Sequence, residues 1–229
     1  MGKSKNRKRK LNKKRLFFAL VLFFLLSFII VKIFNSNITN IYIKGNEFLT
    51  DQEIINIANI EDYPTSINNL SVTLESRLEK NQYILEADVT KSNLTSKITI
   101  EVKENYPMFY YQTENKTILY NNDKVTEKFT TPTVINQIPN TVYDKFIKAM
   151  KKVKKSILYR MSEIEYSPNE VDEERFFILM NDGNYVYLTL AYFDKMDSYV
   201  SIYLDIISKY GEKKGILYLD SGVYFKIVN

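Results

Sequence analysis

The chain has 229 residues with no Cys and no His, and its 32 basic and 27 acidic side chains give a formal charge of +5. Without Cys there is no disulfide, thiolate nucleophile or Cys-ligated metal, which excludes sortase-type chemistry; without His the commonest general base and metal ligand are missing. The positive balance is local. Residues 1–34 hold ten Lys or Arg and no acid, leaving 22 basic against 27 acidic residues beyond them, or −5. That distribution points to membrane topology and anionic lipid rather than nucleic acid.

Residues 1–15 form a basic tail with nine Lys or Arg. Leu16 to Val31 is apolar except for Ser27, and Ile33 and Phe34 extend the run past Lys32. A helix over 16–34 spans roughly 28 Å, close to the ~30 Å of a hydrocarbon core. Lys32 lies near the outer end, where its stem reaches the headgroups. The basic flank predicts a cytoplasmic N-terminus and an exported C-terminal part. No small-x-small cleavage site follows the run, so the expectation is an uncleaved, single-pass anchor. An exported chain without Cys fits a bacterial envelope. The outer part exceeds one typical domain and is expected to hold two.

In the first, Ile38 to Ile43 alternates and ends at the Lys44-Gly45-Asn46 turn signal. Thr50 followed by Glu53 reads as a capping box opening a helix over Asp51–Ile60, with Ile54, Ile55, Ile57 and Ala58 as its apolar residues. Pro64 interrupts the chain. A second amphipathic stretch runs from about Ser71 to Lys80 with Val72, Leu74 and Leu78 available for burial, and strands follow at Ile84–Val89 and Lys97–Val102. In the last strand Ile98, Ile100 and Val102 share one face while Lys97, Thr99, Glu101 and Lys103 share the other. The order is β-α-α-β-β, with helices on one face of a small three-stranded sheet. The segments Ile41-Tyr-Ile-Lys-Gly-Asn, Leu78-Glu-Lys-Asn-Gln-Tyr-Ile-Leu-Glu-Ala-Asp-Val and Ile98-Thr-Ile-Glu-Val-Lys-Glu-Asn-Tyr-Pro resemble a POTRA domain, and in particular that of the FtsQ/DivIB family of bacterial cell-division proteins. Family members also place a basic tail and one membrane helix before this domain. Glu104-Asn105-Tyr106-Pro107 is similar to the family's exit from it, with Asn105 where Arg is usual.

Tyr106-Pro107 disfavours helix and reads as the domain boundary. Thr117–Tyr120 and Asn121-Asn122-Asp123 read as strand and turn; 124–139, with two prolines and no clear period, as extended chain. A helix starts near Asn140 or Thr141 with Val142, Phe146, Met150 and Val153 on one stripe. Lys151, Lys152, Lys154 and Lys155 at its end suit the negative pole of the helix dipole, or else form a basic patch for an anionic cell-wall polymer. Asn181-Asp182-Gly183-Asn184 predicts a hairpin between Phe176–Met180 and Tyr185–Leu190. A helix over Asp194–Tyr210 carries Met196, Tyr199, Tyr203, Ile206 and Tyr210 on one stripe, its tyrosines capping the edge of the core rather than forming a ligand box, and stops at Gly211. Gly215–Leu219 and Val223–Val228 flank Asp220-Ser221-Gly222 as a second hairpin. This order is similar to the β domain of the FtsQ/DivIB family. The fold class is therefore α+β: an N-terminal transmembrane helix, a POTRA domain, and a mixed β domain with a C-terminal antiparallel sheet and packed helices. The domains expected are 1–15, 16–34, 35–106 and 107–229. Many family members carry a further tail, and its function is expected to be absent here.

Candidate chemistry is sparse. The segment Asn35-Ser-Asn-Ile-Thr-Asn lacks the Met and Pro of a signal-peptidase nucleophile motif. Glu163 with Glu165, and Asp172-Glu173-Glu174, are the paired acids; a glycoside hydrolase uses two carboxylates, but a soluble strand edge and an acidic turn explain these better. Six glycines form no phosphate-binding loop. Sequons at Asn37, Asn69, Asn93 and Asn115 read as chance in an Asn-rich bacterial chain. No cofactor or metal is expected. The alternative to a scaffold is a membrane-anchored envelope hydrolase. Resemblance to the family implies that the last strand and its hairpin receive a segment of an FtsB/DivIC-type partner, with FtsL in the same complex and a septal penicillin-binding protein engaged indirectly. It places Leu219, Ser221 and Gly222 at the partner-binding hairpin and Ile227 at the position of an aromatic contact. Val223 completes that stretch. Tyr224 and Phe225 join it as large side chains beside an open edge, or complete the core. The expected location is the cell membrane, enriched at the division septum.

Overall fold

The computed structural model describes residues 12–35, 37–62, 64–92 and 96–228. Most of the basic tail (1–11) and the Asn93 sequon lie outside the described residues. The chain divides into two compact units, 1–104 and 105–229.

In the first unit, helix α1 (Lys13–Phe34) starts at Asn12, whose side-chain oxygen accepts from Lys14 N at 3.2 Å. Its stretch Lys13–Ile33 is long and apolar enough to cross a membrane, and its Leu and Phe side chains are exposed as far as they are described. The strands β1 (Asn40–Lys44), β2 (Ile84–Ser92) and β3 (Lys97–Glu104) form a sheet of order β1-β3-β2, with β1 parallel and β2 antiparallel to β3. Helices α2 (Asp51–Ala58) and α3 (Ser71–Leu78) supply the remaining core. The capping box at Thr50 and Glu53 is complete, each side chain bonding the other's backbone N–H. Ile98, Ile100 and Val102 are buried against Ile54, Ala58, Leu74 and Leu78. Val72, expected inside, is 74% exposed because it lies off the Leu74–Leu78 stripe. Two side-chain devices finish the unit. The buried Glu104 carboxylate accepts from the N–H groups of Glu47, Phe48 and Leu49, at 2.8 Å for Leu49, and so ties the turn after β1 to the end of β3. At the β2 edge, Glu79 and Glu75 of α3 accept from Ala87 N at 3.2 Å and Val89 N at 3.0 Å. These carboxylates occupy the donors that an exposed edge would offer to another chain.

In the second unit the described strands join into one mixed sheet of order β12-β11-β10-β9-β8-β7-β4-β5-β6. They are β4 (Pro107–Tyr111), β5 (Lys116–Leu119), β6 (Lys124–Val125), β7 (Thr133–Val134), β8 (Met161–Tyr166), β9 (Arg175–Met180), β10 (Tyr185–Thr189), β11 (Gly215–Tyr218) and β12 (Tyr224–Ile227). Helices α4 (Asn140–Met150) and α5 (Lys155–Leu158) and a 3₁₀ segment (Leu190–Ser198) running into α6 (Tyr199–Tyr210) help to build the core. Val142, Phe146, Met150 and Val153 are all buried. The expected helix over 194–210 is 3₁₀ up to Ser198, and along its stripe Tyr199 is buried while Tyr210 at its end is 42% exposed. The crossover through these two helical segments makes β10 and β11 parallel, which joins the two hairpins into one sheet.

Candidate functional site at the last strand

The expected interaction residues fall on the β11–β12 hairpin, and several side chains fix its position. Asp182 in the β9–β10 turn accepts from Asn184 N at 3.0 Å and from the Tyr199 hydroxyl at 2.8 Å. Asn184, almost fully buried, passes that order on by accepting from Gly215 N at 3.1 Å, where β11 begins. Burial and the Asp182 hydrogen bond both push the Tyr199 phenol well above its ordinary range, so it stays protonated as the donor. At the other end of the hairpin, Arg175 Nε meets Asp220 Oδ2 at 2.8 Å with both side chains mostly buried, and the guanidinium lies 3.5 Å from the centroid of Tyr187. Leu219 N donates to Tyr187 O at 2.8 Å, and the Ser221 hydroxyl donates to Asp220.

The hairpin is closely built. A Cβ on Gly215 would overlap the Lys226 carbonyl oxygen and come within 2.6 Å of Phe225 Cζ, so only glycine lets β11 and β12 approach this near. Gly222 closes the turn at φ +142°, outside the range L residues favour. The register pairs Tyr218 with Tyr224, Leu217 with Phe225, Ile216 with Lys226 and Gly215 with Ile227. Val228 N donates to Lys214 O at 3.0 Å, which sets the phase of the ladder. Antiparallel pairs alternate between hydrogen-bonded and not, so Tyr224 and Lys226 turn their backbone groups toward β11 while Phe225 and Ile227 turn theirs outward. Among the described residues β12 has one neighbour strand, β11.

Side chains divide by face. Leu219 is fully buried and anchors the hairpin from within. Phe225 is half-buried against the core, 5.9 Å from Tyr210, and Ile227 lies on the same side. Ser221, Gly222 and Val223 are exposed, Val223 at 62%. Tyr224 points to the opposite face and stacks on Tyr218 at 4.5 Å, ending a row that runs through Tyr187 to Phe177. Tyr218 and Tyr224 lie nearly parallel, while the Tyr187–Tyr218 and Phe177–Tyr187 pairs are tilted by 32° and 38°.

A family model of the FtsQ-type POTRA domain matches residues 36–105. The cell division protein DivIB of Bacillus subtilis (strain 168) is 30% identical over 232 residues, covering 96% of this chain and 86% of its own length. The chain belongs to the DivIB family. DivIB of Geobacillus kaustophilus is 27% identical over 235 residues, with 97% of this chain and 88% of the relative covered. The solved major extracytoplasmic domain of DivIB from Geobacillus stearothermophilus covers 47% of this chain and 98% of that one at 19% identity and a TM-score of 0.37, too low to bear on the argument.

Within this DivIB-family chain, Arg175 carries no signal in the sequence, and Asn184 and Gly215 read there only as a turn residue and a strand end. Asp220 was read as a turn residue, which it is, but its pairing with Arg175 spans 45 positions and leaves no local trace. Of the acids considered for hydrolysis, Glu174 pairs with Lys145, and Asp172 Oδ1 accepts from Glu174 N at 2.8 Å within the turn.

Proposed function

We propose that this chain is a non-enzymatic scaffold of the bacterial division machinery that captures an FtsB/DivIC-type partner by strand addition at β12, with FtsL in the same complex. The observation that carries this reading is the outer side of β12, where the backbone groups of Phe225 and Ile227 point away from β11 at the end of the sheet. Partner side chains on one face of an added strand would meet Phe225 and Ile227, and on the other face Tyr224 and Lys226; Val223, Ser221 and Gly222 lie at the mouth, and Leu219 holds it from the core. In this reading residues 1–15 are a cytoplasmic tail, 16–34 the membrane anchor, 35–106 a POTRA domain acting as a second docking surface, and 107–229 the partner-binding β domain. The anchor inserts in membrane lipid with the N-terminus inside, gathers the protein at the septum and raises its local concentration for its partners. Control of septal peptidoglycan synthesis follows indirectly, through the penicillin-binding protein those partners engage.

Val223→Asp tests the edge. It places a charge at an exposed position, so the fold is expected to survive while co-purification of the DivIC-type partner from cells is lost. Unchanged recovery of that partner with the correctly folded variant removes the proposed interface.

A further inference from the structure

At the far end of the same sheet from β12 lies a cleft of about 320 Å³ between β6 and α4, lined by Asn122, Lys124, Tyr143, Asp144, Ile147, Lys148 and Lys151. Eight strand spacings of about 4.8 Å separate the two ends by roughly 38 Å, so this cleft is independent of the proposed partner edge. Lysines at the end of α4 compensate its dipole, and Lys124 comes from a strand to face the same space. Lys148 and Lys151 take part in no salt bridge among the described residues, and Lys151 is supported from below by the Tyr120 ring at 5.3 Å. Lys124 also pairs with Glu114 at 2.5 Å. Among the described residues the one acid lining the cleft is Asp144, and Ile147 and Tyr143 add apolar surface. The rest of the outer chain is net acidic, so this basic cleft stands against its background and is not part of a general positive surface.

We infer that the cleft binds successive phosphates of a glycerol-phosphate polymer. Lys148 and Lys151, three residues apart on one helix face, sit about 5–6 Å apart at Cβ, and the ammonium groups meet phosphate oxygens as point charges with several donors each. Ile147 and Tyr143 then underlie the carbon linkers. The test is lysine-acylation footprinting of the full-length protein in zwitterionic nanodiscs with added poly(glycerol phosphate). This readout resolves the cleft from the N-terminal basic tail. Labelling of Lys124, Lys148 and Lys151 should fall at least threefold, with Lys226 unchanged, and Lys148→Gln with Lys151→Gln should abolish protection of Lys124 without altering thermal unfolding. Asp144→Asn should strengthen protection. Uniform or absent protection overturns the proposal, as does equal protection by poly-glutamate. Protection seen only with phosphatidylglycerol nanodiscs assigns the phosphate to lipid and overturns the polymer.

Discussion

Ile227→Pro separates the outer side of β12 from its inner side. Because Gly215 and Ile227 form a non-hydrogen-bonded pair, the Ile227 N–H faces away from β11, and proline there leaves the β11–β12 ladder intact. Lys226→Pro, one residue earlier, removes a donor from inside the ladder. For an added strand, the first substitution deletes one hydrogen bond worth about 1 kcal/mol and leaves a partner carbonyl buried without a donor, at a further cost of about 1–3 kcal/mol. The complex should weaken by about 2–4 kcal/mol, or roughly 30- to 900-fold in Kd. The assay is titration of the detergent-solubilised full-length protein with the DivIC-type partner, alongside urea unfolding of each variant. Ile227→Pro is expected to lose binding with a nearly unchanged midpoint, and Lys226→Pro to lose both. Binding within threefold of wild type for a folded Ile227→Pro protein would refute strand addition on this edge.

Three further outcomes are expected. Gly215→Ala drives a methyl into the Lys226 carbonyl and the Phe225 ring, and should destabilise the second unit by about 1–3 kcal/mol in urea unfolding, with β12 displaced. Glu75→Ala with Glu79→Ala uncovers the Ala87 and Val89 donors on β2 and should produce concentration-dependent self-association by sedimentation velocity, where the parent shows less. Hydrogen bonds from the Thr50 backbone and hydroxyl hold the Glu53 carboxyl below its ordinary 4.5. A depressed folded pKa gives stability that is present above the unfolded value and lost as pH falls through the folded one, so α2 should lose amide-exchange protection below about pH 4.5. Glu53→Gln, which keeps the capping geometry without the charge, should flatten that dependence.

Local signals were readable wherever one residue type enforces one backbone state. The Thr50–Glu53 pair, the Asp182-Gly183 turn, and the spacing of Val142, Phe146, Met150 and Val153 each name their element directly. What stayed hidden depends on pairing across distance. The segment 124–139 reads only as extended chain because β6 and β7 are two residues each, too short to show any period, and exist only through their neighbours β5, β4 and β8. Nothing local says that β1 runs parallel to β3, or β10 to β11, since parallel partners are set by the crossover between them. The outward side of β12 was likewise invisible until register gave its phase. Which of Tyr224 and Phe225 faces the core was left open, and alternation along one strand settles it: Phe225 does.

The row of rings through Phe177, Tyr187, Tyr218 and Tyr224 has an optical consequence. The chain contains no Trp, so its near-ultraviolet signal comes from Tyr and Phe. Chromophores held 4.5–5.5 Å apart couple their transitions, and the outermost ring is Tyr224 on the terminal strand. A chain docking beside it perturbs that coupling, so circular dichroism near 275 nm gives a label-free report of occupancy, built into the molecule at the place where a partner arrives.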